Sequence, residues 1–199
     1  SRQSQEISDA LVQMVDEIEV IDFPSWETLP HERLSPSAET VGKRLQALHR
    51  MNQFSANNPK HKVVVMISIR AALQPVIGGL EDHPPFEMTR GKDYLLPELA
   101  LKLIEIAYER VDMVTRRGEF AIRGGILDVF PTTAEHAVRL EFFGDELEDI
   151  REFQVADQRS IAVSLSAIEL YPAREMLITP AVASKAREMA SEFPGLSEM

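Results

Sequence analysis

Cysteine is absent from the 199 residues, tryptophan occurs once and tyrosine three times, and basic side chains are outnumbered by acidic ones. Without cysteine there is no disulfide, no thiolate metal site and no cysteine nucleophile, a composition that suits a cytosolic protein. A formal charge of -11, from 21 Lys plus Arg against 32 Asp plus Glu, repels phosphate and argues against broad, nonspecific nucleic-acid binding. Any basic site has to be local. The five histidines are scattered and offer no metal-ligand spacing. Long hydrophobic runs are missing too: the densest, Val63 to Ile67, lies between Lys62 and Arg70 and falls far short of the roughly 20 residues a membrane span needs. Ser1 to Glu6 are polar and lead into an amphipathic stretch, unlike a signal-peptide h-region, so a soluble, cytoplasmic chain without membrane contact is expected. A start on Ser, inside a helical pattern, is expected of a piece cut from something longer.

Phosphate-binding and nucleophile motifs are also lacking. A Walker A loop reads Gly-x-x-x-x-Gly-Lys-Ser/Thr, whereas Gly42-Lys43 falls inside a helical pattern and Gly91-Lys92 is followed by Asp93. No Gly-x-Ser-x-Gly elbow occurs. No catalytic constellation, cofactor site or metal site is therefore expected in this chain.

What is present is an apolar content of 44%, ample for a packed core, in two successive patterns. Ile7, Leu11, Met14 and Val15 have helical spacing over residues 1 to 17, and Ile18 to Phe23 then reads as a strand. Three prolines between residues 24 and 37 keep that stretch a loop. Ser37 is placed to cap a helix through about Phe54, with Val41, Leu45, Leu48 and Met51 on its apolar face, and a polar linker from Ser55 to His61 follows. A strand from Lys62 to Ser68 and a helix from Ile69 to Val76 complete a β-α-β-α alternation, which predicts a parallel sheet. After Gly78-Gly79 and Pro84-Pro85 one helix, Pro97 to Arg110, precedes several strands of antiparallel alternation, the last from Ala167 to Tyr171. A terminal helix from Pro180 to Phe193 ends the chain.

Ala137 to Phe143 is the most informative strand. Alternation sends Val138, Leu140 and Phe142 to the core and Arg139, Glu141 and Phe143 to the other face, where Phe143 is covered either by a partner or by its own chain. In Glu119 to Arg123 the same rule buries Phe120 and Ile122 and exposes Glu119, Ala121 and Arg123. Gly124-Gly125 then suits a two-residue hairpin rather than a bulge. Arg123 and Arg139 would share a face and, with Arg110, Arg116 and Arg117, form either a basic interface patch or a set of solvated arginines. Asp128, inside an apolar strand, reads as a hydrogen-bonded structural acid, and Asp145 to Asp149 as an ordinary turn and half-buried strand rather than a metal site. Trp26 either stacks on a partner or anchors its loop, and anchoring is the reading adopted.

The stretch Arg116-Arg-Gly-Glu-Phe-Ala-Ile-Arg-Gly-Gly-Ile-Leu-Asp-Val-Phe-Pro131, followed by Val138-Arg-Leu-Glu-Phe-Phe-Gly-Asp-Glu146, resembles the interaction domain shared by the excision-repair protein UvrB and the transcription-repair coupling factor (Mfd) family. Ser25 to Pro36 and Val155 to Ser160 resemble the coupling-factor branch rather than UvrB. The resemblance implies α/β plus α+β architecture: a partial RecA-like, P-loop-type but degenerate parallel-sheet domain over residues 1–79, an inserted mixed antiparallel domain like UvrB domain 2 over 80–172, and the helical start of domain 1b over 173–199.

By the same resemblance the inserted domain binds the repair ATPase UvrA. Arg123, Arg139 and Phe143 fall on UvrA-contact positions, and Arg110 and Glu141 on contact positions of the UvrB pattern. Ala121 stands where UvrB commonly has another arginine, which implies a weaker or rearranged contact. Full-length members of the family use ATP and Mg in a double-stranded DNA translocase motor that pushes stalled RNA polymerase off lesions. Both the motor and the polymerase-binding domain follow this module, which also restrains the motor. Only UvrA recruitment and restraint through contact with the carboxy-terminal motor would then reside in this chain. The rival expectations are a nucleic-acid-contacting part of a UvrB-like helicase and a purely structural brace.

Overall fold

The computed structural model describes residues 18–29, 34–57, 62–78 and 84–192, with short stretches at 6–7, 10–11, 13–15, 32 and 80. The helix expected over residues 1–17 lies largely outside the described residues, though Ile7 and Leu11 within it are helical. The described residues form a mixed α/β fold with three sheets.

The first sheet joins β1 (Ile18–Phe23) in parallel to β2 (Lys62–Ile67), with Ile18 beside Lys62 and Phe23 beside Ile67. Parallel strands need a crossover, and α1 (Ala38–Asn57) supplies it. The Ser37 hydroxyl accepts the Thr40 N–H at 3.2 Å and its carbonyl accepts the Val41 N–H at 3.0 Å, which makes Ser37 the expected cap. Ile21, Phe23 and Ala47 bury one face with Ala71 of the short helix α2 (Ile69–Ala72). That helix stops well before the expected Val76, because Pro75 has no N–H to donate and disfavours helical backbone at Gln74.

Arg44, in α1, is buried against the rings of Phe23 and Trp26, its carbon Cζ 4.3 and 5.1 Å from their centroids. Its Nε donates to Glu175 at 2.6 Å and its Nη1 to the Pro24 carbonyl at 3.0 Å. Trp26 donates its indole N–H to the same Glu175 oxygen at 2.9 Å, and so anchors its loop as expected.

The largest sheet has six strands in the order β4 (Glu109–Arg110), β5 (Glu119–Arg123), β6 (Ile126–Val129), β7 (Ala137–Phe143), β8 (Glu146–Phe153) and β9 (Ser160–Ser164). Only β4–β5 is parallel; the others form an antiparallel meander. Its inner face carries Phe120, Leu127, Val129, Val138, Leu140, Leu147 and Ile150 against Leu99 and Leu103 of α3 (Leu96–Glu105). A two-stranded antiparallel ribbon, β3 (Phe86–Thr89) with β10 (Ala167–Leu170), closes the same core through Met88, Ile168 and Leu170. α4 (Pro180–Glu192) follows the expected terminal helix.

Three further expectations are corrected. β3 was not anticipated, since the five residues between Pro84-Pro85 and Gly91 carry too little alternation to announce a strand. α3 ends at Glu105 rather than Arg110: Ala107 takes φ 65°, the Tyr108 N–H closes back on the Leu103 carbonyl, and the next residues pair with β5. Glu119 and Ala121 are buried, because the loop before β5 folds over that end of the outer face. There Val114, Ala121, Phe130, Ala137 and Phe153 form a second small core. Burial alone would raise the Glu119 pKa. The N–H groups of Thr115 and Arg116, the Thr115 hydroxyl and the Arg116 guanidinium outweigh it and hold the carboxyl below its ordinary value.

A Cβ on Gly42 would overlap the side chain of fully buried Thr132, which donates to the Tyr171 carbonyl. Gly42→Ala should therefore lower the urea midpoint despite gaining about 1 kcal/mol of helix propensity; an unchanged or raised midpoint would show that the helix need not approach so closely. Because the folded pKa of Glu119 is depressed, its stabilisation is present above the unfolded pKa and disappears as pH falls through the carboxylate range. Glu119→Gln should be less stable at neutral pH and lose less stability on acidification than the wild type, as followed by urea melts across that range.

Candidate functional site

Cross-strand neighbours share a face of a sheet, so the register lays out the outer face row by row. Ala121, Asp128, Arg139 and Arg151 form one row across β5, β6, β7 and β8. Arg123, Ile126, Glu141 and Asp149 form the next, and Phe143 with Glu146 forms the last, beside the β7–β8 turn. A register shift after Glu141 leaves Glu148 as the extra residue while Phe142 turns inward and Phe143 outward. One end of the face is thus covered by the small second core, and the other is open.

The two turns that bound the open end need glycine. Gly124 at φ 60° and Gly144 at φ 64° start two-residue hairpins, and the Phe142 N–H donates to the Gly125 carbonyl at 2.8 Å, bringing the turns side by side. The expected hairpin at Gly124-Gly125 is present.

Asp128 lies under the open face with only 1% exposure. Arg139 donates from Nε to Oδ1 at 2.7 Å and from Nη2 to Oδ2 at 2.9 Å, while Arg123 donates from Nη2 to Oδ2 at 2.7 Å. The side chain of Arg139 is 19% exposed and that of Arg123 54%. Arg139 also lies over the Phe153 ring, 4.9 Å from its centroid, and the Asp128 hydrogen bonds, with Glu141 nearby, raise its pKa further. Asp149 is held below the usual carboxylate range by the Ser164 hydroxyl, and also by Arg151 and the Ile150 N–H. Three arginines and four carboxylates on these rows therefore largely cancel, and Phe143, 76% exposed, is the most exposed apolar group among them.

The structure brings together Arg123, Arg139, Glu141 and Phe143, and it leaves the other expected arginines elsewhere. Arg110 is exposed on edge strand β4 in register with Phe120, a residue of the inner face. Arg116 pairs with Glu119, and Arg117 reaches Glu39, the Ala134 carbonyl and the Phe130 ring at the covered end. The five-arginine patch does not form. Asp128 is the structural acid foreseen, but its part in holding both arginines was missed. The available clue was a hairpin with Gly124-Gly125 at its turn, which sets Arg123 diagonally across from Asp128.

Truncating these side chains should have different costs. Arg139→Ala leaves a buried carboxylate with one half-exposed partner and should destabilise the chain by about 2 kcal/mol. Phe143→Ala removes an exposed ring and should change stability by no more than about 0.5 kcal/mol. Equal losses in chemical denaturation would mean that the ring is a structural group.

Comparison with known proteins places this geometry. Residues 86–176, which include the six-stranded sheet and the β3–β10 ribbon, match the family model described as the UvrB interaction domain. The chain is 47% identical over 174 residues to the transcription-repair-coupling factor of Mycobacterium tuberculosis, covering 86% of this chain and 14% of that protein. For the Bacillus subtilis protein of the same name the identity is 36% over 197 residues, 98% of this chain and 16% of that protein. For that of Escherichia coli it is 32% over 171 residues, 85% and 14%. The chain thus spans about a sixth or less of the length of the curated relatives it matches. With a UvrB interaction domain at residues 86–176 and identity to these proteins along most of its length, the chain belongs to the transcription-repair-coupling factor family.

Proposed function

We propose that the open end of the outer sheet face is a docking surface for UvrA, and that the chain is the UvrA-recruiting module of a longer coupling factor. The observation that carries this reading is the exposed Phe143 ring, which shares the open end of the outer face with Arg123, Arg139 and Glu141. An aromatic anchor beside arginine is the composition of a protein-binding hot spot. Arg110, on the edge strand, would reach the partner only at the rim, if UvrA wraps around the sheet. The same arginines fit phosphate poorly, since Asp128 already engages both and the chain carries a net charge of -11.

The wider setting is proposed on the family match. Residues 1–79 are read as part of a RecA-like domain whose remaining strands lie outside this sequence, consistent with Val65, Ile67, Ile69 and Leu73 being exposed beside a parallel strand pair. Residues 80–172 are read as the inserted interaction domain and 173–199 as the start of the next. ATP and Mg would serve the motor of the longer protein, an ATP-dependent DNA translocase acting on stalled RNA polymerase in the bacterial cytoplasm, and this chain would bind neither. Restraint of that motor is a second role proposed for the module.

Calorimetric titration with purified UvrA tests the docking reading. The wild type should bind, and Phe143→Ala should lose about 2 kcal/mol or more of binding free energy with its fold intact. No wild-type binding, or an alanine variant that binds as well, would exclude this face.

A further inference from the structure

Asp128 makes the face more than a pair of exposed cations. A guanidinium has five N–H donors in a planar fork. On Arg139 the Nε and one Nη2 donor are committed to Asp128, and the Phe153 ring lies beneath the plane. The side chain therefore has neither the rotation nor the tilt of a solvated arginine, and its Nη1 edge is left for another acceptor. Arg123 is tied more loosely, through Nη2 alone, with Nε and Nη1 remaining. Ordering two arginines during association would otherwise cost side-chain entropy, which two preset donors avoid. The carboxylate itself is out of a partner's reach, being fully buried between neighbouring strands.

We infer that Asp128 is the positioning residue of the docking face: it fixes Arg139, and to a lesser degree Arg123, so that their free N–H edges meet carboxylate or carbonyl oxygens of the partner. This rests on the docking reading above and adds to it a requirement that the Asp128–arginine fork persists when the partner binds. An arginine that must leave Asp128 to reach its partner would instead be held back by it, and removal of the acid would then tighten binding.

Asp128→Asn separates the two cases, since it keeps the size of the side chain while removing its charge and one acceptor. In the full chain titrated with UvrA, positioning predicts a loss of affinity of about tenfold. Equal or tighter binding by a folded variant overturns it. A second measurement needs no substitution: nuclear magnetic resonance of the arginine Nε–Hε groups in the wild type. The Arg139 Hε should exchange slowly with water both free and bound to UvrA, whereas fast exchange in either state overturns the proposal. Wild-type chain that fails to bind UvrA refutes the docking reading and the positioning role together. Binding that survives in the wild type and is unaffected in Asp128→Asn refutes positioning alone.

Discussion

The desolvation of Asp128 constrains much of what surrounds it. An ionised carboxylate with 1% exposure on a central strand would cost several kcal/mol unless it were hydrogen-bonded and paired. Three bonds from two arginines meet that need, and they can do so only if β5, β6 and β7 hold their present register. A slip by one residue would turn Arg139 toward the core and Leu140 toward water. The ion cluster therefore reinforces the register that the hydrophobic pattern specifies, and it does so on the face proposed for docking.

That face has two ends with opposite fates. Near β4 a loop covers it, buries Glu119 and Ala121, and carries Arg117 toward Glu39 at the start of α1. Close by, Gly42 lets α1 approach Thr132, while the Tyr108 and Thr132 hydroxyls both donate to the Tyr171 carbonyl. Arg44 and Trp26 converge on Glu175 nearby. The parallel pair, the large sheet and the segment after β10 are thus joined through several buried polar contacts. At the far end two glycine turns and the Gly91–Tyr94 segment, which pairs with Asp145 to Leu147, bound the sheet, and Phe143 stands exposed. A braced end and an open end suit the proposed docking role: the scaffold fixes the face without covering it.

Strong alternation made much of this visible in the sequence. Ala137 to Phe143 announced both its limits and its outward residues, and Ser37 announced α1 through its capping oxygen. The β-α-β order predicted the parallel pair. Signals failed where tertiary contacts overrode local pattern. Ile104, Ile106 and Ala107 continue a helical spacing, yet Ala107 reverses the chain so that Glu109 and Arg110 can pair with β5. Glu119 alternates as a surface residue but is enclosed by donors from a loop that sequence alone could not place. Arg44 looks like any polar helix residue until two aromatic rings and Glu175 surround it. The grouping of Arg116 and Arg117 with Arg123 failed because charge proximity along the chain says nothing about which end of a sheet each residue occupies.

Amide hydrogen exchange of the chain, alone and in complex with UvrA, tests the central claim most directly, because it reports the footprint without altering a residue. Docking on the open end predicts added protection at Gly124, Gly125, Gly144 and Asp145, the exposed turns beside Phe143, with no change along α3 on the opposite face. Protection along Leu96–Glu105 with the two turns unchanged would contradict it.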